Sequence, residues 1–188
     1  MPPTPNPSQK RFKDYSNDLL FLDDSFIPLD SWRIKKENHV FIYEGLPEIN
    51  QKDLIYMRIA ELWSNNSKCD RMKVGSIIVR DKSIISDGYN GTPAGFPDQC
   101  ESSENITLPY VLHAEANAIT KLARSTQSSD GSTIYVTLSP CYECSKLIIQ
   151  SGIKKVVFSE IYRKPESLAF LAEAGIELLR INLEKYAE

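Results

Sequence analysis

Residues 133–144 read TIYVTLSPCYEC, and this stretch decides the fold. Its first half is rich in β-branched and aromatic side chains, which predicts a buried strand. A helix is predicted to follow over 140–151, because Pro140 suits a first helical position, where its missing N–H would have no partner. Cys141 and Cys144 are three residues apart and would share one face of that helix. The stretch therefore predicts a strand that leads to two cysteines at a helix N-terminus.

Strands and helices alternate on both sides of this stretch. Apolar residues at helical spacing predict helices over 51–65, 113–124, 140–151 and 166–174. Short β-like runs predict strands over 74–79, 83–87, 133–138, 154–159 and 176–181. This alternation is typical of an α/β protein with three α/β/α layers, in which helices cover both faces of a five-stranded mixed sheet.

Residues 1–48 are predicted to be an extension onto a core domain over 49–188. Proline makes up four of the first seven residues, and mixed polar residues follow, so disorder is predicted over 1–18. A short strand is predicted over 40–43, whereas the charged run 33–36 is interpreted as a solvated face.

Composition and charge restrict the class of protein. Apolar residues make up 41% of the 188-residue chain, enough for one sizeable core, and no apolar run approaches the roughly 18–20 residues that cross a membrane. The N-terminus has no apolar signal stretch, so we expect a soluble, cytoplasmic protein. A net charge of −3 and a pI of about 5.5 favour a small substrate over a polynucleotide, because a polynucleotide requires a basic face.

A metal site is predicted from His113, Cys141 and Cys144. One imidazole and two thiolates suit zinc, and three protein ligands leave open the fourth position that a catalytic zinc requires. Glu115 can lie beside His113 only at a helix start, because residues two apart in a helix interior face different sides. A carboxylate at that place could carry protons during a reaction.

Two other interpretations of these residues stay open. A structural zinc would need a fourth ligand, and the only other histidine is His39, in the extension. The second interpretation is that Cys141 and Cys144 form a redox-active Cys-x-x-Cys pair. The His-x-Glu motif at 113–115 favours a metal site instead, because it precedes the cysteines at a distance that suits one shared metal.

At this point the chain resembles a known family. The pattern His-x-Glu followed by Pro-Cys-x-x-Cys marks the cytidine deaminase superfamily. Further motifs narrow the resemblance, which spans about 49–182, to deoxycytidylate (dCMP) deaminases: VG at 74–75, GYNGTPAG at 88–95, PYVLHAEANAI at 109–119, and the segment 140–154. The resemblance implies a cytidine-deaminase-like fold and hydrolysis of dCMP to dUMP and ammonia, which supplies thymidylate synthesis. It also implies one catalytic Zn²⁺ per chain, held by His113, Cys141 and Cys144, with Glu115 as the proton shuttle.

The resemblance assigns further roles. Asn90 would hold the nucleotide near its sugar, although Asn90 beside Gly91 also makes a good tight turn. The residues implied for the phosphate are Arg71, Tyr162 and Arg163, for which the alternative is an ordinary surface side chain. Family members are usually homohexamers, activated by dCTP with Mg²⁺ and inhibited by dTTP. The residues that match their effector loop are Gly91, Thr92 and Gly95, and the alternative is a plain connecting loop.

One departure from the family concerns the remaining cysteines. Some relatives hold a second, structural zinc with cysteines at the positions of Cys69 and Cys100. Because 107–112 contains no histidine, a second zinc is not expected, and these two residues are predicted to be buried free thiols.

Two rival functions stay open. One is a superfamily deaminase of another cytosine nucleotide or nucleoside, including dCTP, or of a tRNA base. The other is a non-catalytic, zinc-stabilised binding module. The presence of Glu115 favours an enzyme over the binding module, because a structural zinc site does not need that carboxylate.

Overall fold

The computed structural model describes residues 9–12, 31–37, 40–45, 49–162 and 166–186. Its helices are α1 (Gln51–Ser64), α2 (Ala114–Leu122), α3 (Tyr142–Gln150) and α4 (Glu166–Glu173). Its strands are β1 (Gln9–Phe12), β2 (Ser31–Glu37), β3 (Val40–Gly45), β4 (Gly75–Arg80), β5 (Ser83–Tyr89), β6 (Thr133–Leu138), β7 (Lys155–Glu160) and β8 (Glu177–Ile181). No helix within these ranges is long and apolar enough to cross a membrane.

The described strands form one sheet in the order β1-β3-β2-β8-β7-β6-β4-β5. β6, β7 and β8 run parallel, and the other neighbours pair antiparallel. The α/β class and the mixed sheet are therefore confirmed. The core domain contributes five contiguous strands, β4 to β8, and the sheet reaches eight because the extension adds three more beyond β8.

Helices cover both faces of this sheet. Successive residues of β7 divide between two hydrophobic cores, with Val156 and Phe158 in one and Val157 in the other, because neighbouring strand side chains point to opposite faces. Helix α1 packs on the side of Val157, while α2, α3 and α4 pack on the side of Phe158. The structure thus has the three layers that the sequence predicts.

The predicted elements of the core domain agree with the structure to within two residues at each end. The hairpin between β4 and β5 turns at Asp81 and Lys82, with φ values of 52° and 67°. Two successive residues with positive φ are typical of the tight turns that join antiparallel strands.

The extension differs from its prediction. Gln9–Phe12, predicted to be disordered, form β1, because β3 would otherwise end the sheet with unpaired backbone groups and β1 pairs with them. The strand predicted over 40–43 is present as β3. The run 33–36 belongs to β2, which pairs antiparallel with β8, so its interpretation as a solvated face is wrong. Ile34 is 1% exposed and lies in the main core. His39 lies outside the described residues.

Gly88 in β5 lets a site-bearing helix lie close to the sheet. A Cβ atom added there would collide with the carbonyl oxygen of Ala114 and, at 2.6 Å, with the backbone nitrogen of Ala118. The Ser86 hydroxyl donates a 2.6 Å hydrogen bond to the Ala118 carbonyl, and the Asn117 amide donates one of 2.9 Å to the Tyr89 carbonyl. These contacts fix the position of α2 on β5.

Candidate active site

His113 lies at the N-cap of α2. Its backbone is extended, with φ −72° and ψ 156°, and the helix begins at Ala114. Because one residue of the pair is extended and the other helical, His113 and Glu115 can reach the same space although they are two apart. The predicted helix start between them is confirmed.

Cys141 lies at the N-cap of α3 in the same way. Its backbone is extended, with φ −72° and ψ 170°, and the helix begins at Tyr142. Pro140 therefore precedes the cap, so its predicted place at the first helical position is wrong. Cys144 lies in the first turn, and the Ser145 hydroxyl donates a 2.9 Å hydrogen bond to the Cys141 carbonyl. His113 and the two cysteines are thus at helix N-termini, where the helix dipole favours a thiolate.

The three predicted ligands converge. The Nδ1 atom of His113 lies 3.4 Å from Sγ of Cys141 and 3.5 Å from Sγ of Cys144, and all three ligand atoms lie within 4.8 Å of one another. Tetrahedral zinc with ordinary Zn–N and Zn–S bonds separates such a nitrogen and sulfur by about 3.5 Å. The donor set and the two nitrogen–sulfur distances therefore fit zinc.

The charges at the site depend on burial and on shared protons. A hydrogen bond from the Cys144 thiol, with a second from His113, lowers the pKa of Cys141. The hydrogen bond shared with Cys141 raises the pKa of Cys144. Burial raises the pKa of Glu115 to about 7, and this side chain is only 4% exposed. The two cysteine side chains and a buried carboxyl group thus lie together at the starts of two helices.

A cavity opens onto this group of residues. The predicted residues that line it are His113, Glu115, Cys141, Asn90, Arg71 and Tyr162. Several residues to which the sequence assigned no role also line it, among them Met72, Val74, Glu101, Thr107, Val111 and Ser139. Glu101 and Thr107 belong to a polar loop without periodicity, so no local pattern points to them.

Asn90 joins the cavity wall to the segment that precedes β4. Its Oδ1 accepts a 2.8 Å hydrogen bond from the Val74 amide, and its Nδ2 donates one of 2.8 Å to the Met72 carbonyl. Asn90 therefore bonds the backbone of the segment before β4 and also lines the cavity. One N–H of the side-chain amide and one lone pair of its oxygen remain for a ligand.

Arg71 and Tyr162 lie on the cavity wall. Nη1 of Arg71 donates a 2.9 Å hydrogen bond to the Thr107 hydroxyl. The Tyr162 backbone amide donates a 2.8 Å hydrogen bond to the hydroxyl of Ser139, and Ser139 lies just before the Pro-Cys-x-x-Cys motif. Arg163 lies outside the described residues.

Gly91, Thr92 and Gly95 are not among the residues that line this cavity. Gly91 forms an isolated antiparallel bridge with Leu112, the residue before His113. Gly95 has a φ of 92°, which favours glycine. The loop therefore contacts the backbone next to a metal ligand from outside the cavity.

Cys69 and Cys100 form a disulfide, so the prediction of free thiols is wrong. Both are 2% exposed. The loop that begins at Cys100 folds back over the segment before β4 and brings the two Cα atoms within 5.1 Å, a separation that permits the bridge. This contact joins residues 31 apart in sequence, and no local pattern reveals it.

Comparison with known proteins agrees with this geometry. The family described as "Cytidine and deoxycytidylate deaminase zinc-binding region" matches residues 50–160. The deoxycytidylate deaminase of Enterobacteria phage T4 is 37% identical over 69% of this chain and 91% of its own length. That of Homo sapiens is 40% identical over 55% of this chain and 61% of its own. The crystal structure of dCMP deaminase from the cyanophage S-TIM5, in complex with dCMP and dUMP, has a TM-score of 0.69 and 44% identity and covers 71% of this chain and 99% of its own.

The α/β/α fold, the His/Cys/Cys ligand set and the buried carboxyl beside it define the class of hydrolytic deaminases with a metal site. The chain belongs to the cytidine and deoxycytidylate deaminase family.

Proposed function

We propose that this chain hydrolyses dCMP to dUMP and ammonia. The observation that carries the proposal is one cavity, whose wall brings His113, Cys141 and Glu115 together with Arg71 and Asn90. The first group suits attack on a cytosine ring, and the second suits recognition of a sugar phosphate. The solved relative bound to dCMP and dUMP supports the same substrate and product.

The chemistry requires a water molecule to add to C4 of the base while the exocyclic amine leaves. A zinc ion, when bound by His113, Cys141 and Cys144, supplies an activated water at neutral pH. Glu115 takes a proton from the attacking water and delivers it to the ring nitrogen N3. It then carries the remaining proton of the added hydroxyl to the amine, which leaves as ammonia when the C4–N bond breaks and the C4 oxygen becomes the carbonyl oxygen of uracil. Such positioned proton transfer contributes roughly 10²–10⁴-fold to a rate.

Substrate binding divides between two walls of the cavity. Asn90 is proposed to contact the sugar through the part of its amide that the backbone leaves available. Arg71 is proposed to bind the phosphate, because a guanidinium forms charge-assisted hydrogen bonds with phosphate oxygens. Tyr162 and Arg163 are proposed to complete the phosphate site. These roles separate a monophosphate from a free nucleoside.

Regulation and assembly are further parts of the proposal. A dCTP–Mg²⁺ activator and a dTTP inhibitor would bind at Gly91, Thr92 and Gly95 in a homohexamer, and the reaction would supply dUMP for thymidylate synthesis. The support for the effector site is the bridge between Gly91 and Leu112, which gives that loop a direct contact beside His113.

The proposed substrate is tested by measuring ammonia release from dCMP, deoxycytidine, cytidine, dCTP and tRNA, with zinc counted per chain in the same preparation. We expect dCMP to exceed deoxycytidine in kcat/KM by about 10- to 100-fold, the contribution of charged hydrogen bonds to the phosphate. A preference for another cytosine compound would identify a different superfamily deaminase. Bound zinc without any turnover would identify a binding module.

A further inference from the structure

The loop after the disulfide folds as a small hairpin beside the cavity. Glu101 and Thr107 form an antiparallel bridge. The Ser102 amide donates a 2.9 Å hydrogen bond to the Ile106 carbonyl, and the Leu108 amide donates one of 2.8 Å to the Cys100 carbonyl. Residues directly opposite in such a pair project their side chains to the same side. Glu101 and Thr107 therefore face the same neighbour, and both line the cavity.

That neighbour is Arg71, which the hairpin holds at both ends. The Glu101 carboxylate accepts hydrogen bonds from the backbone amides of Asp70, at 3.2 Å, and Arg71, at 3.4 Å. The Thr107 hydroxyl accepts one of 2.9 Å from Nη1 of Arg71. Glu101 is 9% exposed, and the disulfide joins the adjacent Cys69 and Cys100. The hairpin thus determines where the Arg71 backbone lies and where its guanidinium points.

The arrangement leaves the positive charge of Arg71 available. Glu101 directs its carboxylate to the backbone amide, and no ion pair within 4.0 Å links Arg71 to an acidic group among the described residues. A guanidinium has five N–H donors, and within the same residues the Thr107 hydroxyl is the one acceptor that its side chain reaches. An oriented guanidinium with donors to spare is suited to an anion in the cavity.

We infer that Glu101 and Thr107 are positioning residues that orient Arg71 toward the phosphate of the substrate, and that they set the preference for a monophosphate over a nucleoside. The inference rests on the proposed function of Arg71 as a phosphate ligand. Neither residue touches the reacting atoms in this assignment. Their effect should therefore fall on KM for dCMP and leave kcat unaltered.

Thr107→Val is the sharpest test, because valine keeps the branched shape and removes only the acceptor. We expect KM for dCMP to rise about three- to tenfold, as for the loss of one hydrogen bond, with kcat and the kinetics on deoxycytidine unchanged. Thr120→Val is the matched control, because the Thr120 hydroxyl bonds only to carbonyls of its own helix. An equal loss on dCMP and deoxycytidine would show a merely structural role, and unchanged kinetics would show no role; either overturns the inference.

A double-mutant cycle separates this inference from the proposed role of Arg71. If Thr107 acts through Arg71, Thr107→Val should have little effect once Arg71 is replaced by methionine. We expect KM for dCMP to change by less than about twofold in that background, because smaller differences fall within the error with which independent effects add. An undiminished effect in that background would overturn the inference. If Arg71→Met alone left KM for dCMP unchanged, the phosphate role itself would be wrong.

Glu101→Gln, which keeps one acceptor of two, should again raise KM for dCMP alone; a loss shared by both substrates would contradict a positioning role for Glu101.

Discussion

Gly91 and Leu112 exchange two backbone hydrogen bonds, with N–O distances of 3.0 Å from Gly91 to Leu112 and 2.9 Å in the reverse direction. Leu112 immediately precedes His113, so a loop that lies outside the cavity is bonded to the backbone of the residue next to a predicted metal ligand. A ligand that moved or ordered this loop would also act on the position of His113. Such a contact is a physical element through which two sites can be coupled.

From this bridge we predict that dCTP with Mg²⁺ lowers the dCMP concentration needed for half-maximal rate and makes the response less sigmoidal. The reason is that an effector shifts an equilibrium only by its differential affinity for two states, and the loop offers contacts that can differ between them. The measurement is the initial rate against dCMP concentration, with and without dCTP or dTTP. Hyperbolic kinetics that neither nucleotide alters would refute the regulatory proposal and leave the catalytic one intact.

Replacing the proton shuttle should separate catalysis from metal binding. Glu115→Gln is expected to lower kcat on dCMP by about 10²–10⁴-fold, while zinc per chain is unchanged, because Glu115 is not among the three convergent ligands. Glu143→Gln is the matched control, since Glu143 is an exposed carboxylate in the first turn of α3 and pairs with Lys146. Ammonia release and metal analysis on the same samples provide the test. Wild-type turnover by the Glu115 variant would exclude the mechanism.

The convergence of the three predicted ligands was predictable because each part depends on local chemistry. The softness of His113, Cys141 and Cys144 suits one metal, and the i, i+2 spacing of His113 and Glu115 requires a helix start between them. The helices and strands of the core domain followed from apolar periodicity, which is a property of short windows.

The parts that sequence reasoning missed depend on contacts between distant segments. Cys69 meets Cys100, and Glu101 meets the amide of Arg71, only after the loop folds back over the segment before β4. The strand β2 was missed because only one apolar residue, Ile34, stands among the charged residues of the run 33–36, which is too short a pattern to predict a strand. Ile34 becomes buried only because β2 pairs with the edge of β8. No short window of sequence around Cys69, Glu101 or Ile34 contains the distant partner that it meets, which is Cys100, Arg71 or Leu178 respectively.

Because β5 lies so close to α2, even the smallest side chain at position 88 should destabilise the protein. Gly88→Ala places a Cβ against the backbone of Ala114 and Ala118, so α2 must move. We expect a loss of about 1–3 kcal/mol in the free energy of unfolding and fewer zinc ions per chain, because α2 begins beside His113. Denaturant unfolding and metal analysis measure both. Gly91→Ala is the control, because its Cβ would meet only the Tyr89 ring at 3.8 Å; equal stability of the two variants would contradict the steric argument.

The extension should contribute to the stability of the core domain through β2. Ile34 is 1% exposed and lies in the main core with residues of β7 and α4, so Ile34→Ala is expected to cost about 2–5 kcal/mol by leaving a cavity. Lys35→Ala is the matched control on the opposite face of the same strand. Chemical unfolding that monitors the whole domain measures the difference. If both variants unfolded at the same denaturant concentration as the unchanged protein, β2 would add no stability to the domain, and its pairing with β8 would be dispensable for the fold that holds the active site.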